Sequence, residues 1–511
     1  MRKILPLLLL VAVVAASQFL IWFEHADVTV TRETLAGNPV DRYEAVGASR
    51  GTVVVAHGFA GSREAMQPWG YAMARRGFDT YVLDQPGHGD SDRPLPSWQS
   101  PDDTGLGENL IAVIDELVAS GRAEPGKIAL IGHSMGGAAV IQAAMQDSRI
   151  GATVTISSAY TGEISADRPV NLLSLAAQWD PGWVLEILRN TAAQANDGQG
   201  EVGVQYGTFA AGTAREADVV PGQNHISILY DARVMARAAL WIQESLGTGE
   251  VVAEALPPFS PWILLGVAAG VAGTLFTGVL VAPGKQASYR LAGPQLGAGI
   301  SAIALAVAAM AATLVTVFLR FSWLHVALMD YLVPYFLVMA VVLAGMRLLW
   351  PADFGFSLTQ EQSLLGGIGR GLAIFAVYLL LLGSILHLNF TQYVVRPTRL
   401  LPTLLLATAL WLYMLQEEGL KRATAETSGR WAWPLLGVAS KVILLATWLG
   451  ASLLPNPPLM FPMALPLAGM LMLVLEAASW LFGRLNLPPA TAATFASLVV
   501  AWSVGSLFPI L

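Results

Sequence analysis

Lys127-Ile128-Ala129-Leu130-Ile131-Gly132-His133-Ser134-Met135-Gly136-Gly137 decides the reading of this 511-residue chain. A β-rich run, Lys127–Ile131, leads straight into Gly132, and Ala138–Gln146 then carries apolar and small residues at helical spacing. A G-x-S-x-G placed between strand and helix permits a strained turn that exposes the serine Oγ and lets helix and strand approach closely. The helix start supplies backbone N–H groups and a partial positive charge where an oxyanion would form. The five-residue pattern is common by chance. Its strand–turn–helix setting gives it weight.

Working outward, short β-rich runs alternate with helical stretches from about Asp27 to Gly247. The runs are Thr52–Ala56, Thr80–Leu83, Lys127–Ile131, Thr153–Ser157 and Leu172–Ala176, with Gly107–Ala119 and Ala138–Gln146 as intervening helices. Val28–Thr31 and Arg42–Ala45 are expected to add two leading antiparallel strands. Continuous apolar runs such as Val53-Val54-Val55 suit the centre of a mostly parallel sheet covered by helices on both faces.

Two further motifs flank the serine. His57-Gly58-Phe59 ends the Thr52–Ala56 run, and Asp84-Gln85-Pro86-Gly87-His88-Gly89-Asp90-Ser91 follows the next strand. With Gly132–Gly137 they resemble the α/β-hydrolase superfamily, in particular its monoglyceride-lipase and serine-aminopeptidase-like branch, over roughly Val40–Leu246. The resemblance implies an α/β-hydrolase domain with a mostly parallel sheet. It implies oxyanion donors at the N–H groups of Phe59 and Met135, and a structural Asp84–Ser91 loop at the mouth of the site. On that reading His57, His88 and His133 shape the site, with Gly58, Gly132 and Gly136, rather than act as bases.

The same order of parts requires an acid after a later strand and then a histidine. Gln178-Trp179-Asp180-Pro181-Gly182 is a turn at the end of Leu172–Ala177, so Asp180 matches the acid position, with Asp167, Glu163 and Asp218 as alternatives. Val219–His225 reads as the last strand and its loop, leading to a helix over Asp231–Glu244, and His225 is the only histidine after Ser134 in this half. The Asp180-to-His225 spacing is wider than the family usually shows, and Ala195–Thr208 looks like an insertion. Residues 159–170 are too few for a helical cap, so the cap is minimal and the cleft open. The expected activity is serine-hydrolase cleavage of an ester or lipid-like acyl substrate, with a peptidase or amidase on the same residues as the alternative. A transporter or membrane scaffold carrying a hydrolase-like sensory domain is the non-enzyme alternative.

Composition sets the rest. Hydrophobic residues make up 54% and charged residues 13% of the chain, about half the ~25% charge of ordinary soluble domains. That argues against disorder, nucleic-acid binding through a basic field, and a purely soluble enzyme. With no cysteine there is no disulfide framework, no thiolate metal site and no thiol nucleophile. The absence also favours a prokaryotic cell. No metal and no cofactor is called for. Pro257–Leu511 holds 12 basic and 7 acidic residues, against 17 and 29 in the first 256. An acidic, water-facing half is joined to an apolar one.

The expected organisation is a signal anchor at 1–26, the hydrolase domain at 27–250, a linker at 251–260, and an all-α polytopic membrane bundle at 261–511. The anchor continues past a signal-peptide-like Val14-Ala15-Ala16-Ser17 through Phe19–Phe23, about the 20 residues that span a bilayer. Eight further spans are read at 261–282, 296–318, 323–346, 368–388, 400–416, 432–454, 462–482 and 489–510. The partners implied are the bilayer and a small-molecule or lipid ester. Lys441 and Glu476 fall inside spans, where charge is costly and often functional. Glu417-Glu418-Gly419-Leu420-Lys421-Arg422 resembles the first motif of CAAX-type intramembrane metalloproteases, but no histidine follows Arg422 to hold a metal. It reads better as a helix end with Lys421 and Arg422 at the cytoplasmic surface.

Charge bias sets the sides. A cytoplasmic N-terminus gathers Arg2, Lys3, Lys285, Arg290, Arg347, Arg370, Lys421, Arg422, Arg430 and Arg484 inside, leaving Arg320, Arg396 and Arg399 in outer loops. The protein is then a multi-pass cell-membrane protein with its hydrolase domain outside the cytoplasm.

Overall fold

The computed structural model describes residues 3–165, 167–249, 260–283, 297–319, 321–350, 361–454 and 461–511. The linker expected at 251–260 lies outside these but for Ser260, as do Arg2, Lys285, Arg290 and Arg320. The chain forms two compact units. One comprises Ala16–Leu265 with two later segments, Ile385–Gln392 and Leu507–Leu511; the other comprises Met1–Ala15, Gly266–Ser384 and Tyr393–Ser506.

The first unit is a nine-stranded sheet in the order β1-β2-β4-β3-β5-β6-β7-β9-β8. Its strands are β1 (Val30–Leu35), β2 (Asn38–Tyr43), β3 (Thr52–Ala56), β4 (Asp79–Leu83), β5 (Ile128–His133), β6 (Ile150–Ile156), β7 (Leu172–Ala177), β8 (Gln205–Tyr206) and β9 (Arg215–Val220). From β4 through β9 the neighbouring strands pair in parallel, and β2 joins β4 antiparallel. The leading pair is shifted from its expected ranges: β1 begins later than Val28 and runs on to Leu35, whereas β2 begins earlier than Arg42. β1 and β2 are a tight hairpin that pairs Leu35 with Asn38, because the Ala36-Gly37 turn takes positive φ at both residues. The expected insertion contributes β8, which pairs antiparallel along the β9 edge.

Helices cover both faces. β3 is buried along its whole length, as expected of a strand between two apolar layers. Val53, Val55, Ile131 and Val154 face the layer of α2 (Gln67–Ala74) and α6 (Ala232–Leu246). Val54, Leu130 and Ala56 face α3 (Gly105–Ala119) and α4 (Met135–Gln146). α5 (Gly182–Gln194) covers the β7–β9 edge through Val184, Leu188 and Ala192. No helix lies between β6 and β7 among the described residues.

One buried cation ties the loops at the carboxyl ends of β3 and β4. The Arg63 guanidinium is fully buried and meets Asp84 and Asp90 at 2.6 Å each and Asp41 at 3.1 Å, while its backbone N–H donates to Asp84 Oδ1 at 2.8 Å. Gly89 (φ +52°) is required there, because a Cβ would sit 2.2 Å from the Asp84 carboxyl. Gln392, from the segment Ile385–Gln392, donates to Asp90 Oδ1 at 2.9 Å and, through its N–H, to Ser62 Oγ at 2.8 Å.

The second unit is helical. Among the described residues of the whole chain, nine helices are long and apolar enough to cross a membrane. They begin with α1 (Leu5–Glu24), which enters the first unit at Ala16, and continue with α7 (Pro261–Leu280), α8 (Ala298–Phe318) and α9 (Met329–Leu349). α10 (Glu361–Tyr378) runs through a π-helical turn at Leu379–Gly383 into α11 (Ser384–Asn389). Then follow α12 (Pro397–Ser428), α13 (Ala432–Ser452), α14 (Phe461–Arg484) and α15 (Pro489–Leu507).

The 417–422 stretch departs from its expected place. α12 does not end there but continues to Ser428, and Lys421 is only 1% exposed. Neighbouring helices make that burial tolerable. Lys421 Nζ meets both Glu476 oxygens, at 2.8 and 2.9 Å, and Glu418 at 2.6 Å. Lys441 Nζ meets Glu417 at 2.5 Å. Ser479 Oγ donates to Glu418, also at 2.5 Å. Lys441 and Glu476 thus belong to one network of paired charges, and no partner is left as a lone ion in an apolar bundle.

Candidate active site

Ser134 stands between β5 and α4 with φ +52° and ψ −114°, an uncommon conformation for a residue with a side chain. Three close approaches hold it there. A Cβ on Gly132 would lie 2.1 Å from Gly136 O, and one on Gly136 would lie 2.4 Å from Ala56 O. A Cβ on Gly58 would lie 3.0 Å from the Ser134 Cβ. The third contact brings the His57–Phe59 turn against the serine. Met135 is the first residue of α4, so its N–H is one of the donors that a helix leaves without an internal partner. Of the expected donors, Met135 adjoins Ser134 in sequence, and Phe59 follows the Gly58 that packs against it.

Asp180 follows β7 in the turn before α5, where its carboxylate is fully shielded from solvent. It accepts from Ser157 Oγ at 2.6 Å and from the Ala177 N–H at 2.7 Å through Oδ2. Its Oδ1 lies 2.5 Å from His225 Nδ1. That leaves the other ring nitrogen of His225, Nε2, for chemistry. His225 sits in the loop after β9, beyond the strand end at Val220. Its link to the serine is through His133, whose Nε2–H donates to the His225 carbonyl at 2.9 Å and whose ring centroid is 4.9 Å from that of His225.

The alternative acids are engaged elsewhere. Asp218 pairs with Arg237 at 2.6 Å, Asp167 accepts from Ser165 Oγ at 2.7 Å, and Glu163 is exposed.

The other histidines hold backbone. His57 Nδ1–H donates to Gly58 O at 2.8 Å and Nε2 accepts the Gln85 N–H at 3.0 Å, which needs the neutral ring. Burial lowers its pKa to about 4. Burial, with the nearby His225 ring second, holds His133 well below the usual histidine value. His88 Nδ1–H donates to Pro86 O at 3.0 Å. The structure thus brings His57, Gly58, Gly132, His133 and Gly136 together around Ser134.

Sequence reasoning had no signal for three contributors. Ser157 fixes Asp180 from the end of β6, and only its positive φ of 48° marks it. Arg63 sits in a short helical turn with no motif around it. The segment Leu507–Leu511 pairs with the Gly87–Leu95 loop: Ile510 N–H donates to Gly87 O at 3.0 Å, and Leu95 N–H donates to Ile510 O at 2.8 Å. It places the Phe508 ring 6.2 Å from Phe59, alongside His88 at 5.7 Å and Trp98 at 6.1 Å. This aromatic wall adjoins the turn that faces Ser134.

No curated protein matches the chain. Among solved structures, the TT1662 protein of Thermus thermophilus is similar at 20% identity, over 43% of this chain and 98% of that one, with a TM-score of 0.32. A puromycin-hydrolyzing peptidase of Mycobacterium tuberculosis is similar at 16% identity, over 43% of this chain and 40% of that one, with a TM-score of 0.32. An esterase/lipase from an uncultured bacterium is similar at 16% identity, over 43% and 86%, with a TM-score of 0.31. Residues 47–199 match the model of the serine aminopeptidase S33 family, a span that contains Ser134 and Asp180. The sheet unit has an α/β-hydrolase-like fold, and over residues 47–199 it is similar to the serine aminopeptidase S33 family of serine hydrolases.

Proposed function

We propose that the chain is a membrane-embedded serine hydrolase that cleaves an ester or lipid-like acyl substrate through Ser134, His225 and Asp180. The observation that carries the reading is the hydrogen bond from His225 to the shielded Asp180 carboxylate, with His225 held through His133 next to the strained Ser134 at the end of β5. Ser134 Oγ attacks the acyl carbonyl while His225 Nε2 takes its proton, and Asp180 fixes the ring tautomer and stabilises the imidazolium. The Phe59 and Met135 N–H groups receive the oxyanion, a contribution of roughly 3 kcal/mol per donor. Collapse of the tetrahedral intermediate breaks the bond to the leaving group, which departs with the proton from His225. Water then gives its proton to His225 and attacks the acyl-enzyme, releasing the acid and restoring Ser134.

The apolar helices support anchoring in a bilayer. Charge bias in the flanking loops supports a hydrolase domain outside the cytoplasm. A peptidase or amidase on the same residues is the second reading, favoured by the aminopeptidase family match. The deciding experiment uses the full chain in nanodiscs with p-nitrophenyl acyl esters of increasing chain length and with aminoacyl p-nitroanilides. Ester turnover that rises with acyl length and is lost in Ser134→Ala supports the first reading. Faster anilide cleavage with little ester turnover replaces it with the second.

A further inference from the structure

The helical unit contains a cleft of about 450 Å³ that the hydrolase chemistry does not use. It is lined from three helix ends: the end of α12, the turn into α13, and the end of α14. Its chemistry is concentrated in three arginines, Arg422, Arg430 and Arg484, and three tryptophans, Trp431, Trp433 and Trp480. Each guanidinium lies over an indole: Arg422 over Trp433 at 4.8 Å, Arg430 over Trp431 at 5.5 Å, and Arg484 over Trp480 at 5.8 Å. Cation–π contact restrains each guanidinium over its ring and leaves N–H groups at its edge for an acceptor. The Trp433 ring also lies against the backbone at Gly483, where a Cβ would come 1.8 Å from it.

A second observation points to a ligand. Arg422 is 8% exposed, and one of its groups is used: Nη1 donates to Leu487 O at 2.7 Å. Its Nε lies 3.8 Å from Glu418 Oε2, beyond hydrogen-bonding distance. Both Nε and Nη2 are buried without a hydrogen-bond partner, and so is the indole Nε1 of Trp433. Buried donors ordinarily find acceptors. Three such groups on two lining residues call for an oxygen-rich anion.

We infer that this cleft binds the phosphate of an anionic phospholipid headgroup. Guanidinium forks match tetrahedral phosphate oxygens, and a phosphodiester offers enough acceptors for several donors at once. Among the described residues, Glu426 is the one carboxylate lining the cleft. It disfavours a second negative charge and suits a headgroup that carries hydroxyls. Tryptophans at the helix ends fit the polar boundary of a bilayer, and basic clefts between membrane helices suit such headgroups. Free phosphate shares the same chemistry. The site is independent of the Ser134 reaction.

The test uses the purified full chain in mild detergent, titrated with short-chain phosphatidylglycerol, short-chain phosphatidylcholine and inorganic phosphate. Native mass spectrometry reads the lipids, and thermal stabilisation reads all three. Phosphatidylglycerol should bind at least ten-fold more tightly than phosphatidylcholine. The double variant Arg430→Gln/Arg484→Gln changes two exposed side chains and should lose that preference at an unchanged Tm. Trp433→Phe, which keeps an aromatic ring but removes the pyrrole ring with its N–H, should weaken binding several-fold. Phosphate that protects as well as the lipid, through the same residues, keeps the site and makes free phosphate its occupant. Equal affinity for the two lipids without phosphate protection overturns the inference, as does full phosphatidylglycerol affinity in a folded double variant.

Discussion

Replacing Asp180 with asparagine changes one atom and should stop the reaction. The carboxylate accepts three hydrogen bonds, from Ser157 Oγ and the Ala177 N–H on Oδ2 and from His225 Nδ1 on Oδ1. An amide has only one oxygen. That oxygen must stay on the Oδ2 side, because an NH₂ there would face the Ala177 N–H donor. The NH₂ then points at His225 Nδ1, which must become an acceptor, and the ring proton moves to Nε2. Nε2 is the atom that has to take the proton of Ser134, so the base is blocked and its imidazolium loses its counter-charge. Loss of the correct tautomer costs about four orders of magnitude in kcat in triads of this kind, or roughly 5 kcal/mol in barrier height at ~1.36 kcal/mol per decade. Stability should change far less, by about 1–3 kcal/mol for one disrupted buried hydrogen-bond set. The assay is p-nitrophenyl butyrate hydrolysis by the full chain at pH 7.5, with Tm measured on the same sample. Activity of Asp180→Asn within ten-fold of wild type would refute the reasoning. Loss of activity in Glu163→Gln or Asp218→Asn instead would move the acid.

Other consequences follow from burial and charge. His57 has a pKa lowered to about 4 in the fold by burial, so its neutral form stabilises the domain fully above pH 6.5, and that contribution declines as pH falls towards 4. At ~1.36 kcal/mol per unit the share is up to about 3 kcal/mol. Urea unfolding of the wild type at pH 7 and pH 4.5 should show a larger fall than His57→Gln, and equal falls contradict the assignment. Lys441→Met leaves Glu417 buried without its 2.5 Å partner and should cost about 3–5 kcal/mol. Adding Glu417→Gln should recover much of the lost Tm, and no recovery argues against a coupled pair. Alkaline phosphatase fused after Gly247 should be active and one fused after Arg290 inactive; the reverse pattern puts the hydrolase domain in the cytoplasm.

Much of the sheet unit was legible because its signals are local. Glycine spacing around Ser134 reports close backbone approaches, and the turn at Asp180 follows a buried strand. His225 needed only its position after the last strand. The wide gap before it is filled by α5 and the β8 edge, so the extra length leaves Asp180 and His225 in contact. The hairpin β1–β2 was misplaced because positive φ at Ala36 has no sequence signature. The extent of α12 was missed for a different reason. Lys421 looks like a surface charge until Glu476, 55 positions later, is brought to 2.8 Å from it. Phe508 and Ile510 gave no hint of their place beside Phe59 and Gly87, because that contact spans more than 400 positions. Pairings over such distances depend on the packed fold and leave no periodic trace.

The central claim is that Ser134 is a nucleophile activated by His225. It is tested most directly by incubating the full chain with a fluorophosphonate and locating the adduct by peptide mass spectrometry. The account predicts one phosphonylated residue, Ser134, in the wild type, no adduct in Ser134→Ala, and labelling slowed by orders of magnitude in His225→Ala. Labelling at another serine, or undiminished labelling in the Ser134→Ala protein, would contradict it.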